Sequence, residues 1–122
     1  MAILLASKII LAGIVTTMPA SPEVNSLRIA DLSIRSIESQ LFAENAYIVH
    51  REGQSDCVIV DPGFQYEELA SFLDSEGLHP LAILNTHGHS DHIAGNDALK
   101  QRWPDAPIVI GHEDAYKLTD PN

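Results

Sequence analysis

The stretch Thr86-His87-Gly88-His89-Ser90-Asp91-His92 places four potential metal ligands, three imidazoles and a carboxylate, within six residues. In an extended segment alternate side chains point the same way, so His87, His89 and Asp91 can converge on one side. Gly88 adds no bulk between the first two imidazoles and lets the backbone turn sharply. A turn toward a helix near His92 carries the last imidazole round to a neighbouring position. Neutral imidazole with carboxylate is a donor set suited to zinc, and also to iron or manganese. The competing reading is a polar loop whose histidines cap a helix or meet solvent. It serves for a single histidine better than for this density of ligands directly after an apolar strand.

The elements that must position this loop alternate along the chain. Leu32 to Ile37 alternates apolar and polar residues, the pattern of a half-buried strand, and Ala46–Val49 and Cys57–Val60 are two more candidates. The polar, glycine-containing segment Arg51 to Asp56 predicts a hairpin between those two. Leu69, Phe72 and Leu73 carry the i, i+3, i+4 spacing of one helix face within Tyr66 to Leu73, with Gly77 as its stop. Leu81 to Leu84 reads as a short strand running into the histidine loop. Asn96 to Trp103 reads as a helix stopped by Pro104, Ile108 to Ile110 as a strand, and Glu113 to Leu118 as the start of another helix. Strands first paired by a hairpin and then alternating with helices predict an α/β protein of α+β type, a mixed sheet covered by helices.

Composition narrows the function. The chain has 122 residues, 45% hydrophobic and 20% charged, room for one domain with a real core. Seven Lys and Arg against seventeen Asp and Glu give a net charge of −10, which argues against nucleic acid and against an anionic membrane surface as partners. The one cysteine, Cys57, excludes an internal disulfide framework and reads as a small core residue rather than a nucleophile. Residues 1–27 read as an apolar N-terminal extension and 28–122 as the folded part. Within the extension, residues 1–20 are too short and broken for a membrane-spanning helix. They suit a signal peptide poorly, with Lys8 inside the apolar run, and the alternatives are an extra strand or helix or a start assigned too far upstream. The expected compartment is the cytoplasm, with export as the alternative.

The histidine motif with the following Gly95, and Val60-Asp61-Pro62-Gly63 at a strand end, resemble the metallo-β-lactamase superfamily. Within it, Asn45-Ala46-Tyr47-Ile48-Val49 and Thr86-His87-Gly88-His89 are most similar to the glyoxalase II-like, hydroxyacylglutathione hydrolase branch. The resemblance runs from about Leu32 to the C-terminus and implies the front half of an αββα sandwich. It implies that His87 and His89 bind a first metal and that Asp91 and His92 bind a second. Asp91 would also orient or deprotonate the attacking water, making it the catalytic residue. Asp61 would hydrogen-bond the metal loop rather than ligate; on local sequence alone it could equally be an ordinary turn aspartate before Pro-Gly. Two zinc ions are implied for the complete domain, with iron or manganese as alternatives.

The resemblance also implies later ligands, a third histidine, a bridging aspartate and a final histidine. After His92 the sequence offers only His112, in a segment that looks like the family's non-ligand strand end. Two classes of function follow. One is a metal-dependent hydrolase of a small-molecule thioester, such as a glutathione thioester, with this chain alone inactive. The other is a truncated, non-catalytic partial domain that binds metal weakly. Persulfide dioxygenase-like or lactonase-like chemistry is a further alternative within the family. A front half would leave one sheet face uncovered, so self-association is expected.

Overall fold

The computed structural model describes residues 8–11, 14–17 and 24–120. Strands β1 (Lys8–Leu11) and β2 (Ile14–Thr17) form a separate antiparallel pair. The rest of the leader expected over residues 1–20 lies outside the described residues. A six-stranded sheet follows in simple sequence order: β3 (Val24–Ile29), β4 (Leu32–Glu38), β5 (Asn45–Arg51), β6 (Asp56–Val60), β7 (His79–Asn85) and β8 (Ile108–Ile110). The first four strands pair antiparallel, and β6-β7-β8 pair parallel. This is the mixed α/β sheet that the patterning predicts. The polar segment after β5 is the predicted hairpin connection, with Gly53 at a positive φ of 73°.

One face of the sheet is dry. Ile37, Ala46, Ile48, Cys57, Ile59 and Ile83 are aligned across four strands by register and are all buried. Helix α1 (Tyr66–Glu76) brings Leu69 and Leu73 onto them, the spacing read from the sequence, and α3 (Asn96–Arg102) brings Leu99. Glu67 and Glu68 in the first turn of α1 favour its positive end. The helix ends in a Schellman arrangement: Gly77 is left-handed, its amide bonds the Asp74 carbonyl, and the Leu78 amide bonds that of Leu73. Trp103, just past α3, packs against the edge of this core, and Arg102 pairs with Asp74 across the two helices. No described helix is long and apolar enough to cross a membrane.

Three local expectations are corrected. Val24–Ile29 is a full strand of the sheet although the first strand was expected at Leu32, so the sheet begins inside the span read as extension. Five of its six residues are exposed, which is why no alternation marks it. The histidine loop already contains a one-turn helix, α2 (Ser90–Ile93). The terminal helix expected at Glu113 to Leu118 is instead a 3₁₀ segment, His112–Leu118.

The other face of the sheet carries apolar side chains that no described helix covers. Leu27 and Ile29 on β3, Tyr47 on β5 and Val109 on β8 are exposed. Leu81, the extra residue of the β-bulge opposite Cys57 and Val58, is 58% exposed beside Val49 and Val58. A run of this kind across a sheet exceeds the scattered apolar exposure of a monomer. The 122-residue chain is therefore expected to self-associate in sedimentation equilibrium, and Leu81→Lys with Val109→Lys to reduce that association without altering the far-UV circular dichroism. A monomer of the unsubstituted chain at all concentrations would contradict this.

Cys57 is inside the dry face, and burial, followed by the neighbouring Asp56 charge, pushes its thiol from 9.0 up to about 12. The fold therefore opposes the thiolate, as expected of a core residue rather than a nucleophile. Because the folded value is raised, the stabilisation is complete below pH 9 and is lost as pH rises from about 9 toward about 12. Cys57→Ala, which cannot ionise, should flatten that part of the stability–pH profile relative to the native chain in denaturant melts.

Candidate metal centre

The metal loop leaves the sheet at the C-terminal end of β7 and returns into α3. Its two ends are tied by a buried amide pair. Asn85 Nδ2 donates to Asn96 Oδ1 at 3.2 Å, and Asn96 Nδ2 donates to Asn85 Oδ1 at 2.8 Å. Both residues are only 6% exposed, so each amide has its partner where water cannot substitute.

Asp61 stands across from this loop at the end of β6. Its backbone is in the left-handed region, φ 51°, a conformation that Asp tolerates better than most residues but that still costs about 1–3 kcal/mol. Its amide is held by the Leu84 carbonyl at 2.8 Å. The buried carboxylate accepts the Thr86 amide at Oδ1 (2.7 Å) and the Thr86 hydroxyl at Oδ2 (2.6 Å), and Oδ2 also lies 3.1 Å from His92 Nδ1. Thr86 Oγ1 in turn is 2.8 Å from His87 Nδ1.

These contacts assign the tautomers. The Thr86 hydroxyl donates to Asp61 Oδ2 and is left as an acceptor toward His87 Nδ1. Nδ1 of His87 and of His92 therefore each face an acceptor, and in the neutral tautomer this selects, the Nε2 atom of each is the one that would bind a metal. A histidine that donates from one nitrogen to a carboxylate or hydroxyl and offers the other is the usual arrangement of a metal ligand. The three imidazoles are gathered: the ring centroids of His87 and His89 are 4.5 Å apart edge to face, and those of His87 and His92 are 4.2 Å apart. Asp91 Oδ2 lies 3.5 Å from His92 Nε2. The two atoms can share a proton, as an imidazolium–carboxylate pair, or a metal ion when Nε2 carries a lone pair. Adjacent donors on one tetrahedral zinc lie about 3.4 Å apart, given bonds of about 2.1 Å. Donor atoms of Asp61, His87 and His92 also fall within 4.8 Å of one another, the one such group of three among the described residues. That group counts Asp61, whose oxygens Thr86 and His92 already engage, and leaves out His89 and Asp91, which the resemblance implies as ligands; imidazole with carboxylate is nonetheless a donor chemistry that fits a divalent ion.

Two glycines allow the Asp61 turn to sit this close. A Cβ on Gly63 would stand 2.6 Å from both the Asp91 carbonyl and the Glu44 carboxylate, and one on Gly95 would be driven into the Pro62 carbonyl. The Gly95 amide instead donates to that carbonyl at 2.6 Å. Glu44, 7% exposed, accepts the Phe64 amide at 3.3 Å and backs the same turn. Of the loop residues singled out in the sequence, His89 is exposed and His87, Asp91 and His92 are half-buried. His112 is exposed and lies outside the donor group. Asn85, Asn96 and Glu44 were not legible in the sequence, because each acts through a partner distant in the chain.

Two clefts open beside these side chains. One, of about 480 Å³, is lined by Asp61, Asp91 and His92 with Phe42, Glu44 and Tyr47; the other, of about 800 Å³, by His89, Ser90 and Asp91 with Tyr116 and Lys117.

The chain belongs to the metallo-β-lactamase superfamily, whose sequence profile matches residues 40–121. It is 37% identical over 76 residues to the probable metallo-hydrolase YqgX of Bacillus subtilis (strain 168), covering 62% of this chain and 35% of that protein. It is 48% identical over 61 residues to the hydroxyacylglutathione hydrolase of Xylella fastidiosa (strain 9a5c), covering 50% of this chain and 23% of that protein. Among solved structures it is similar to the BLEG-1 B3 metallo-beta-lactamase, with a TM-score of 0.67 and 35% identity over 72% of this chain and 41% of that one. The chain thus spans between about a quarter and two fifths of the length of these relatives.

The hydrogen-bond network makes a direct prediction. Asp61→Asn turns an amide NH₂ or a single weaker acceptor toward three donors, so His92 loses the bond that fixes its tautomer. The ¹⁵N shifts of His87 and His92 should report Nδ1–H in the native chain and a mixture in the variant. Metal affinity should fall about 10–100-fold, the usual effect of removing such a partner.

Proposed function

We propose that this chain carries the metal-binding half of a hydrolase that cleaves thioesters, with His87, His89, Asp91 and His92 as metal ligands and Asp61 as the carboxylate that orients the loop. The observation that supports the reading is that His87 and His92 both turn Nδ1 toward the Asp61–Thr86 network, which leaves Nε2 of each as the atom to meet a metal. A divalent ion held by these residues, zinc or else iron or manganese, would supply Lewis acidity toward a carbonyl and bring the pKa of a bound water down toward neutrality. The chain's own residues supply the rest. Asp91, beside His92 Nε2, is placed to take or orient a proton of the attacking water. It lines both clefts, so a substrate with two arms on either side of its reacting carbonyl would lay one arm in each. A thioester has that shape, and the relatives named hydroxyacylglutathione hydrolase support this substrate class.

A second reading, metal binding without turnover, has one observation in its favour: among the described residues, only one group of three donors converges, where the resemblance implies two ions. Metal titration and thioester turnover separate the readings. The 122-residue chain should take up zinc, iron or manganese and lose that uptake in His87→Ala, with negligible turnover by itself. A version extended to the length of its relatives should bind more metal and hydrolyse the thioester. An extended, metal-loaded version without turnover would leave the second reading standing. Absence of uptake of all three metals would remove both.

A further inference from the structure

The 3₁₀ segment His112–Leu118 is more than the chain's last described turn. In a 3₁₀ helix residues three apart eclipse one another, so their side chains leave the same side. Asp114 and Lys117 are so related, and they act on one point. Asp114 Oδ1 accepts Lys117 Nζ at 2.8 Å, and Asp114 Oδ2 accepts the amide of Gly88 at 2.8 Å. Gly88 is buried and stands between the two ligands His87 and His89. The stem of Lys117 lies against it so closely that a Cβ there would meet Lys117 Cδ at 2.6 Å and Cβ at 2.8 Å. Gly88 is thus gripped by a hydrogen bond and by packing, both from the same pair of side chains.

We propose that Asp114 is a positioning residue for the metal loop: ion-paired to Lys117, it fixes the Gly88 amide and so sets how His87 and His89 are presented to a divalent metal. The inference rests on the metal-binding reading above. Asp61 holds the His92 imidazole directly and that of His87 through the Thr86 hydroxyl, whereas Asp114 fixes the backbone between His87 and His89 from the 3₁₀ segment. The Lys117 ammonium, then the Gly88 amide, hold the Asp114 carboxyl below its usual 3.8, so the acceptor is charged across the neutral range.

The test uses the 122-residue chain with Asp114→Ala, Asp114→Asn and Lys117→Met. Zinc affinity is measured by competition with a chromophoric chelator, the site by the visible spectrum of the cobalt(II) form, and Gly88 by amide hydrogen exchange without metal. Asp114→Ala should lose Gly88 protection, weaken zinc about 10–100-fold and shift the cobalt bands, with far-UV circular dichroism unchanged. Asp114→Asn, which keeps an oxygen for the amide, should recover most of the affinity. Lys117→Met, which retains the carboxylate, should fall between; these two variants carry the test if Asp114→Ala fails to fold. Native-like zinc affinity and cobalt bands in Asp114→Ala, or in both other variants where it does not fold, would overturn the inference and leave the metal reading intact. A native chain that binds no zinc or cobalt would overturn both.

Discussion

The constraint on which the site depends is the placement of one carboxylate. Asp61 closes β6 in a backbone conformation that most residues avoid, and from there it reaches the Thr86 amide, the Thr86 hydroxyl and His92. The unfavourable φ is offset by those charge-assisted bonds and by the Leu84 carbonyl that holds the Asp61 amide. The same oxygen that anchors the loop also dictates where the imidazole protons reside. Fold and chemistry therefore meet in a single side chain, because the parallel pairing of β6 with β7 puts the ends of both strands at the same edge. Binding sites at the carboxyl ends of parallel strands follow from this geometry in many open sheets.

Much of this was legible beforehand, for identifiable reasons. Ile48, Ile59 and Ile83 lie in segments legible as short apolar runs, whereas the alternation of Leu32 and Ile34 marks the half-buried face of β4, opposite the one that buries Ser33 and Ile37. Leu69 and Leu73 are legible by their helical spacing. The ligand cluster is legible because its residues are neighbours in the chain. β3 is not, since a mostly exposed edge strand has no dry face to record. The 3₁₀ form of the last segment is also hidden, because α and 3₁₀ share their residue preferences and the difference lies in what Asp114 and Lys117 reach for.

The residues that sequence reasoning passed over share one property. Asn85 meets Asn96, Glu44 meets Phe64, and Asp114 meets Gly88, each across many intervening positions. Asn and Asp are common in turns, and nothing local separates a turn residue from a tie between elements. The glycines of the site were similarly half-visible. Gly63 and Gly95 belong to recognisable motifs, but the reason for them, the close approach of the Asp61 turn to the metal loop, exists only in three dimensions.

The loop is tied at both ends by the Asn85–Asn96 pair, near its start by Asp61 through Thr86, further along by Asp61 at His92, and between its first two histidines by Asp114. Every one of those ties is between protein groups. Small zinc modules differ, in that the ion itself organises the ligands and binding free energy is folding free energy. Here the His87 and His92 rings are held through Nδ1 by hydrogen bonds that do not depend on what Nε2 meets. Less ordering is then left to be done when an ion arrives, and less of the binding free energy is spent on it. A purely structural zinc site is closed by four protein ligands, whereas the hydrolysis proposed above would need a position left for water and substrate.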